Sequence, residues 1–183
     1  ISIKDNNKII AFDICPVNIV MNEISKKIGL EFDENGTYAK DGKLIPILLE
    51  KFNNLSYYKQ KEPKSLGREW VTKFITPLIL KNYKSEDILH TFCEHIGFQI
   101  GRILNNKSTF FSGGGVFNSY LMSRISHYSR SEVVIPNQTL INFKEAIIFA
   151  YLGVLRLSNE NNCLKSVTGA KNDNCGGEIN NPF

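Results

Sequence analysis

Cysteine is scarce in this chain of 183 residues, and Cys15, Cys93, Cys163 and Cys175 stand far apart. No CxxC pair occurs, and His90, His95 and His127 add no metal-ligand spacing, which excludes a zinc finger or ribbon. So low a cysteine density at this length also excludes a disulfide scaffold and points to a reducing, cytoplasmic location. No apolar run approaches the ~20 residues of a membrane span, and no signal peptide with its charged and apolar regions is present. Charge of one sign is never concentrated. The 22 basic and 18 acidic residues leave a net charge of +4, scattered without the dense basic run of a nucleic-acid partner. Internal repeats and low-complexity linkers are absent as well.

What is there is the composition of an ordinary globular protein, 42% hydrophobic and 22% charged. The length suits one domain or two small ones, and is enough to bury a core. The chain opens at Ile1 in the middle of a β pattern, which reads as a fragment whose N-terminal part is absent.

"ISIK" and "KIIAFDI" (Lys8 to Ile14), with "DNN" as the turn, predict a β-hairpin. "CPVNIVMNEISKKIG" predicts a helix with Pro16 in its first turn, Gly29 at its C-terminal cap, and Ile19, Val20, Ile24 and Ile28 on one face. "DGKLIPILLEKFN" is a shorter helix starting near Pro46, and "NNLSYYKQKEPKSLGREW" a polar, aromatic loop. "EWVTKFITPLILKN" is helical with an interruption at Pro77. The clearest helix is "KSEDILHTFCEHIGFQIGRILNN", with Ser85 as N-cap and Ile88, Phe92, Ile96 and Ile103 along its apolar face. A strand "STFFSG", a helix "NSYLMSRISHY" and a strand "SEVVIP" follow. "NFKEAIIFAYLGVLRLS" is apolar on most sides and is expected to be buried, and the tail after it is polar and loop-like. Strands separated by helices of this length give an α/β architecture, and the hairpin makes the sheet mixed.

Five stretches could carry chemistry. In "SGGGVFN", a strand runs through Gly113, Gly114 and Gly115 into a helix start at Asn118. Glycine there serves either a tight turn or the close approach of a ligand, and no Walker A or spaced dinucleotide fingerprint accompanies it. In "FDICPVN", Asp13 ends a strand; its carboxylate could hold magnesium-bound water or a sugar hydroxyl, or simply cap the next helix. In "PKSLGREW", Lys64, Arg68 and Glu69 crowd around Gly67, either as an anion site or as a solvated charge cluster. Glu145 opens a very apolar helix, pointing into a cleft or decorating the helix dipole. "SVTGAK" is a small-residue loop near a ligand, or only a turn.

Taken in order, "FDICPVN", "PKSLGRE", "SGGGVFNSYLMSRI", "KEAIIFAYLG" and "SVTGA" resemble the C-terminal half of the anhydro-N-acetylmuramic acid kinases, from about Lys8 to Ala170. The resemblance implies an actin-like sugar-kinase (ASKHA) fold of two lobes with RNase H-like sheets. Residues 1–183 would then be the nucleotide-binding C-terminal lobe, with a mixed sheet flanked by helices. It implies ATP and Mg2+ as cofactors and an amino-sugar substrate in peptidoglycan recycling. Water opens the 1,6-anhydro ring and O6 is phosphorylated, giving N-acetylmuramic acid 6-phosphate. It also implies that Gly113, Gly114, Gly115 and Asn118 lie against adenosine, and that Asp13 and Asn18 face the phosphates, magnesium or the cleft. Arg68 and Glu145 fall on the sugar side or at the lobe interface. The catalytic base is expected in the other lobe, so the chain alone is expected to be inactive. The resemblance is compatible with a homodimer. One departure stands out: Ile14, Cys15 and Val17 replace parts of the family's common Thr-Gly-Pro-Gly, removing a hydroxyl and two flexible positions beside the phosphates. That leaves two alternatives open, a non-catalytic nucleotide-binding module of the same fold and an unrelated α/β protein binding S-adenosylmethionine.

Overall fold

Alternating apolar residues at the start of the chain form the predicted hairpin, with β1 (Ser2–Asp5) antiparallel to β2 (Lys8–Ala11) and Ile3 opposite Ile10. The computed structural model describes residues 1–6, 8–79, 83–104 and 107–180. Parts of several predicted elements lie outside the described residues: Asn7 of the hairpin turn, Leu80–Asn82 of the Pro77 segment, Asn105 and Asn106 after the long helix, and Asn181–Phe183 of the tail.

The helices follow in order: α1 (Asn18–Lys26), α2 (Thr37–Asp41), α3 (Pro46–Asn53), α4 (Arg68–Phe74), α5 (Thr76–Ile79) and α6 (Ser85–Leu104). Then come β3 (Thr109–Phe110), α7 (Ser119–Ser129), β4 (Val133–Val134), α8 (Gln138–Leu157) and α9 (Lys165–Thr168). The protein is thus α/β with helices dominant. Its contacts divide into two units, one of Ile1–Phe12, Lys61–Ser65 and Gln138–Phe183, the other of Asp13–Gln60 and Leu66–Asn137.

In the second unit α6 is the axis, packed by α1, α2, α3 and α7. Ile88, Leu89, Phe92 and Ile96 are fully buried, but so are Thr91, His95 and Gln99, so the helix is wrapped on more than its apolar face. Its first two turns are tied to the loop before α3: Asp87 Oδ1 accepts the Lys43 N–H at 2.7 Å, and Thr91 Oγ1 accepts the Ile45 N–H at 3.0 Å. Pro46 starts α3 as its fixed φ and missing N–H favour. Pro16 lies two residues ahead of α1 instead of in its first turn. Gly29 ends the turn after α1 with φ +78°, while the Leu30 N–H closes onto the Ser25 carbonyl at 3.1 Å.

The segment around Tyr57 and Tyr58 departs from the polar loop that composition suggests. Both rings are buried in a short 3-10 turn. Tyr57 packs on Trp70 with ring centroids 5.4 Å apart, and Tyr58 packs edge-on to His95 at 5.0 Å.

Instead of one mixed sheet, the described residues form two two-stranded ladders. The antiparallel hairpin belongs to the first unit, and the parallel pair β3–β4, with α7 as its crossover, belongs to the second. A larger correction concerns α8. Its apolar sequence predicts burial, yet only Ile141 is buried, and Phe149, Tyr151 and Leu157 are 71, 62 and 72% exposed. Apolarity states what a helix needs to bury, not that a partner is at hand. Among the described residues β1, β2 and α9 of its own unit make no extensive contact with α8, and the following loop binds its later turns through Asn162 to the Leu152 carbonyl and Arg156 to the Gly177 carbonyl. No helix among the described residues is long and apolar enough to cross a membrane.

Candidate functional site

The glycine turn after β3 is where backbone, cap and cavity meet. Gly113 has φ +97°, a region that L side chains rarely adopt, so the turn itself requires this glycine. Gly114 to Phe117 form a 3-10 turn, and Asn118 caps α7: its Oδ1 accepts the Leu121 N–H at 2.9 Å. Gly114 and Gly115 have a different reason to lack side chains. A Cβ on Gly114 would lie 3.7 Å from Asn18 Nδ2, and one on Gly115 3.4 Å from Asn18 Oδ1. Those are ordinary contacts, so packing within the protein does not forbid a side chain at either position. The room they leave opens on a cavity of about 440 Å³, in the range of small-molecule sites.

Asn18, at the start of α1, forms one side of this cavity with Met21 and Asn22. The loop Phe32–Asn35 also lines it, held by three ties. The buried Asp33 carboxylate accepts the N–H groups of Tyr38 (3.0 Å) and Ala39 (2.9 Å), capping α2. Ser119 Oγ donates to the Asn35 carbonyl at 3.1 Å. Gly36, at φ +72°, lies so close to Asn118 and Tyr120 that a Cβ would stand 2.6 Å from Tyr120 Cβ. Asn35 also takes a positive φ of 55°. Among the described residues neither lysine nor arginine lines the cavity; its charged residues are Asp33 and Glu34.

Of the residues expected from sequence, Asn18, Gly114, Gly115 and Asn118 come together here, with Gly113 at the flank. Asp13 is placed elsewhere in the same unit. It neither caps α1 nor lines the cavity; its Oδ2 accepts the Leu66 N–H at 2.8 Å, and its carbonyl accepts the Tyr57 hydroxyl at 2.6 Å. Arg68 starts α4 and lines a second hollow of about 390 Å³ with Lys26, Glu23 and Asn22, the last of which also lines the first cavity. Glu145 is exposed on α8 in the other unit. Phe32, Asp33, Glu34 and Asn35 were not anticipated, although "DENG" is a turn signal and an Asp before a helix is a capping signal. Among the described residues no group of three or more His, Cys, Asp or Glu gathers into a metal site.

The profile of the anhydro-N-acetylmuramic acid kinases matches residues 1–182. The chain belongs to that family. Among curated relatives, the anhydro-N-acetylmuramic acid kinase of Francisella tularensis subsp. novicida is 34% identical over 186 residues, 94% of this chain and 49% of that protein. The protein of the same name from gamma-proteobacterium EBAC31A08 is 32% identical, over 86% of this chain and 46% of its own length. That of Saccharophagus degradans is 30% identical, over 97% and 51%. The chain thus spans about half the length of the curated relatives it matches.

Proposed function

We propose that this chain is the nucleotide-binding part of an ATP-dependent kinase for 1,6-anhydro-N-acetylmuramic acid, with the actin-like ASKHA architecture of a sugar kinase. The observation that carries the reading is the cavity bounded by Asn18, Gly114, Gly115 and Asn118, in a chain matched to the kinase family from end to end. Adenosine fits its volume and its lack of cations. The phosphates would leave over the rim, because two carboxylates and no basic group line the interior. ATP would supply the phosphoryl group, placed on O6 as water opens the anhydro ring. Magnesium commonly takes one or two carboxylates and completes its shell with phosphates and water. Asp13 is this chain's candidate for such a carboxylate.

Saturating Mg-ATP is expected to raise the melting temperature of the chain, with S-adenosylmethionine as the control. At about 100 times its dissociation constant a ligand adds roughly 2.7 kcal/mol. In a protein of this size that is a shift of roughly 5–10 °C. A shift with S-adenosylmethionine and none with ATP would overturn the kinase reading.

The second reading, a non-catalytic nucleotide-binding module, is favoured by Ile14, Cys15 and Val17 where the family commonly has Thr-Gly-Pro-Gly. A coupled assay of ADP release with the anhydro sugar separates the two once a full-length counterpart is in hand. The chain alone is expected to release no ADP in a sugar-dependent way, its base lying in the other lobe; sugar-dependent release would disprove that placement.

A further inference from the structure

The aromatic side chains at this cavity have no part in the nucleotide reading. Two large aromatic side chains, Phe32 and Phe117, come from segments far apart in sequence and line the same cavity, yet stand 53 and 47% exposed. The exposed face of an apolar ring at a cavity contributes nothing to the fold. It gains when a flat partner covers it. The two segments are also locked to each other. The Ser119 hydroxyl on the Asn35 carbonyl and the close seat of Gly36 against Asn118 and Tyr120 fix the Phe32–Asn35 loop to the start of α7, directly after the turn that carries Phe117. Such a wall is organised before any ligand arrives, which lowers the cost of binding.

The charges narrow the ligand further. Asp33 is committed to capping α2 through both of its oxygens. Glu34 lines the same cavity, is exposed, and its carboxylate makes no hydrogen bond or ion pair among the described residues. A free carboxylate in a cavity without lysine or arginine repels a phosphate and accepts from hydroxyl donors. A vicinal diol offers two such donors.

We propose that Phe32, Glu34 and Phe117 form the nucleoside-selecting wall of this site: the two rings flank the base and the Glu34 carboxylate accepts from the ribose hydroxyls. The proposal rests on the nucleotide reading above. It assigns the 32–35 loop to the uncharged part of the ligand and leaves the phosphates outside this wall.

Calorimetric titration of the full chain with ADP, 2′,3′-dideoxy-ADP and inorganic tripolyphosphate tests it. Phe32→Ala and Phe117→Ala are each expected to weaken ADP about tenfold, as removal of one stacked ring does. Phe32→Tyr and Phe117→Tyr should restore affinity to within about twofold of the parent, since the stacking face is kept. Glu34→Ala is expected to weaken ADP about fivefold and leave dideoxy-ADP unchanged. Both rings are half-exposed, so the alanine variants should melt where the parent does. ADP binding as tightly to the two alanine variants as to the parent would overturn the proposal and leave the nucleotide reading standing. Equal loss of ADP and dideoxy-ADP with Glu34→Ala would overturn the role given to Glu34. Failure of the parent chain to bind ADP would overturn the nucleotide reading, and the proposal with it.

Discussion

Gly101→Ala is expected to lower the stability of the second unit by about 2 kcal/mol, although alanine is the better helix former by roughly 1 kcal/mol. Gly97 and Gly101 lie one turn apart on α6 and face α7. A Cβ on Gly101 would stand 2.5 Å from Tyr128 Cβ and 2.7 Å from its carbonyl carbon. Those atoms belong to the backbone or its first branch, so α7 as a whole would have to move. Overpacking of this kind costs roughly 1–3 kcal/mol and outweighs the gain in propensity. Gly97 makes a useful contrast. Its Cβ would meet Tyr128 Cδ2 at 2.9 Å and the Arg124 backbone at 3.1 Å. A ring can swing aside, so Gly97→Ala should cost well under half as much. Gly101→Leu should abolish cooperative unfolding altogether. Urea denaturation reads the series: the midpoint should fall for Gly101→Ala with the slope unchanged. A raised midpoint would mean that α6 and α7 are not in such close contact. Because α7 begins at the cavity, with Asn118 as its cap, Gly101→Leu should also remove any thermal shift by ATP.

Several parts of this fold were legible because their causes are local. Gly29 closes α1 through its own positive φ, Pro46 opens α3 through its ring, and Asn118 caps α7 through a bond to a residue three positions on. The glycine turn was legible for the same reason, and Asn18, Gly114, Gly115 and Asn118 do meet at one cavity. What sequence did not reveal depends on distant partners. The Phe32–Asn35 loop is fixed at the cavity by distant partners, Ser119 among them, whose hydroxyl binds a carbonyl 84 positions away. Asp13 carries a helix-capping signal, but the N–H it meets belongs to Leu66, 53 positions on. Tyr57 and Tyr58 sit in a polar stretch and are buried by Trp70 and His95. The α8 helix fails in the opposite sense: its apolarity is plain, while among the described residues of its unit little surface covers it.

His95 is expected to make the second unit acid-labile well above the range in which carboxylates titrate. The ring is fully buried on α6. Its Nδ1–H donates to Asn53 Oδ1 at 2.7 Å, and its Nε2 accepts the Tyr58 hydroxyl at 2.9 Å. Asn53 Oδ1 also accepts from Gln99 Nε2 at 3.1 Å, so the acceptor is held in place and the neutral tautomer is defined. Burial above all, and then the nearby Arg102 guanidinium, push the imidazole down from its ordinary 6.5 to about 3. A depressed histidine favours the folded state while both states are neutral. As pH falls below 6.5 the unfolded chain takes up a proton that the folded one refuses. Stability is therefore complete above about pH 7 and falls by roughly 1.4 kcal/mol per pH unit until the folded-state value near 3 is reached. Between pH 7 and pH 5 the contribution of His95 is a loss of about 2 kcal/mol. His95→Gln keeps a donor and an acceptor and cannot titrate. It should be less stable than the parent at pH 7 through imperfect packing, and its stability should fall by about 2 kcal/mol less on going to pH 5. The difference between the two proteins, measured by urea denaturation at each pH, removes whatever the other titrating groups contribute. Equal losses in both would show that the ring takes up its proton in the folded state, which the pairing of Nε2 with the Tyr58 hydroxyl opposes.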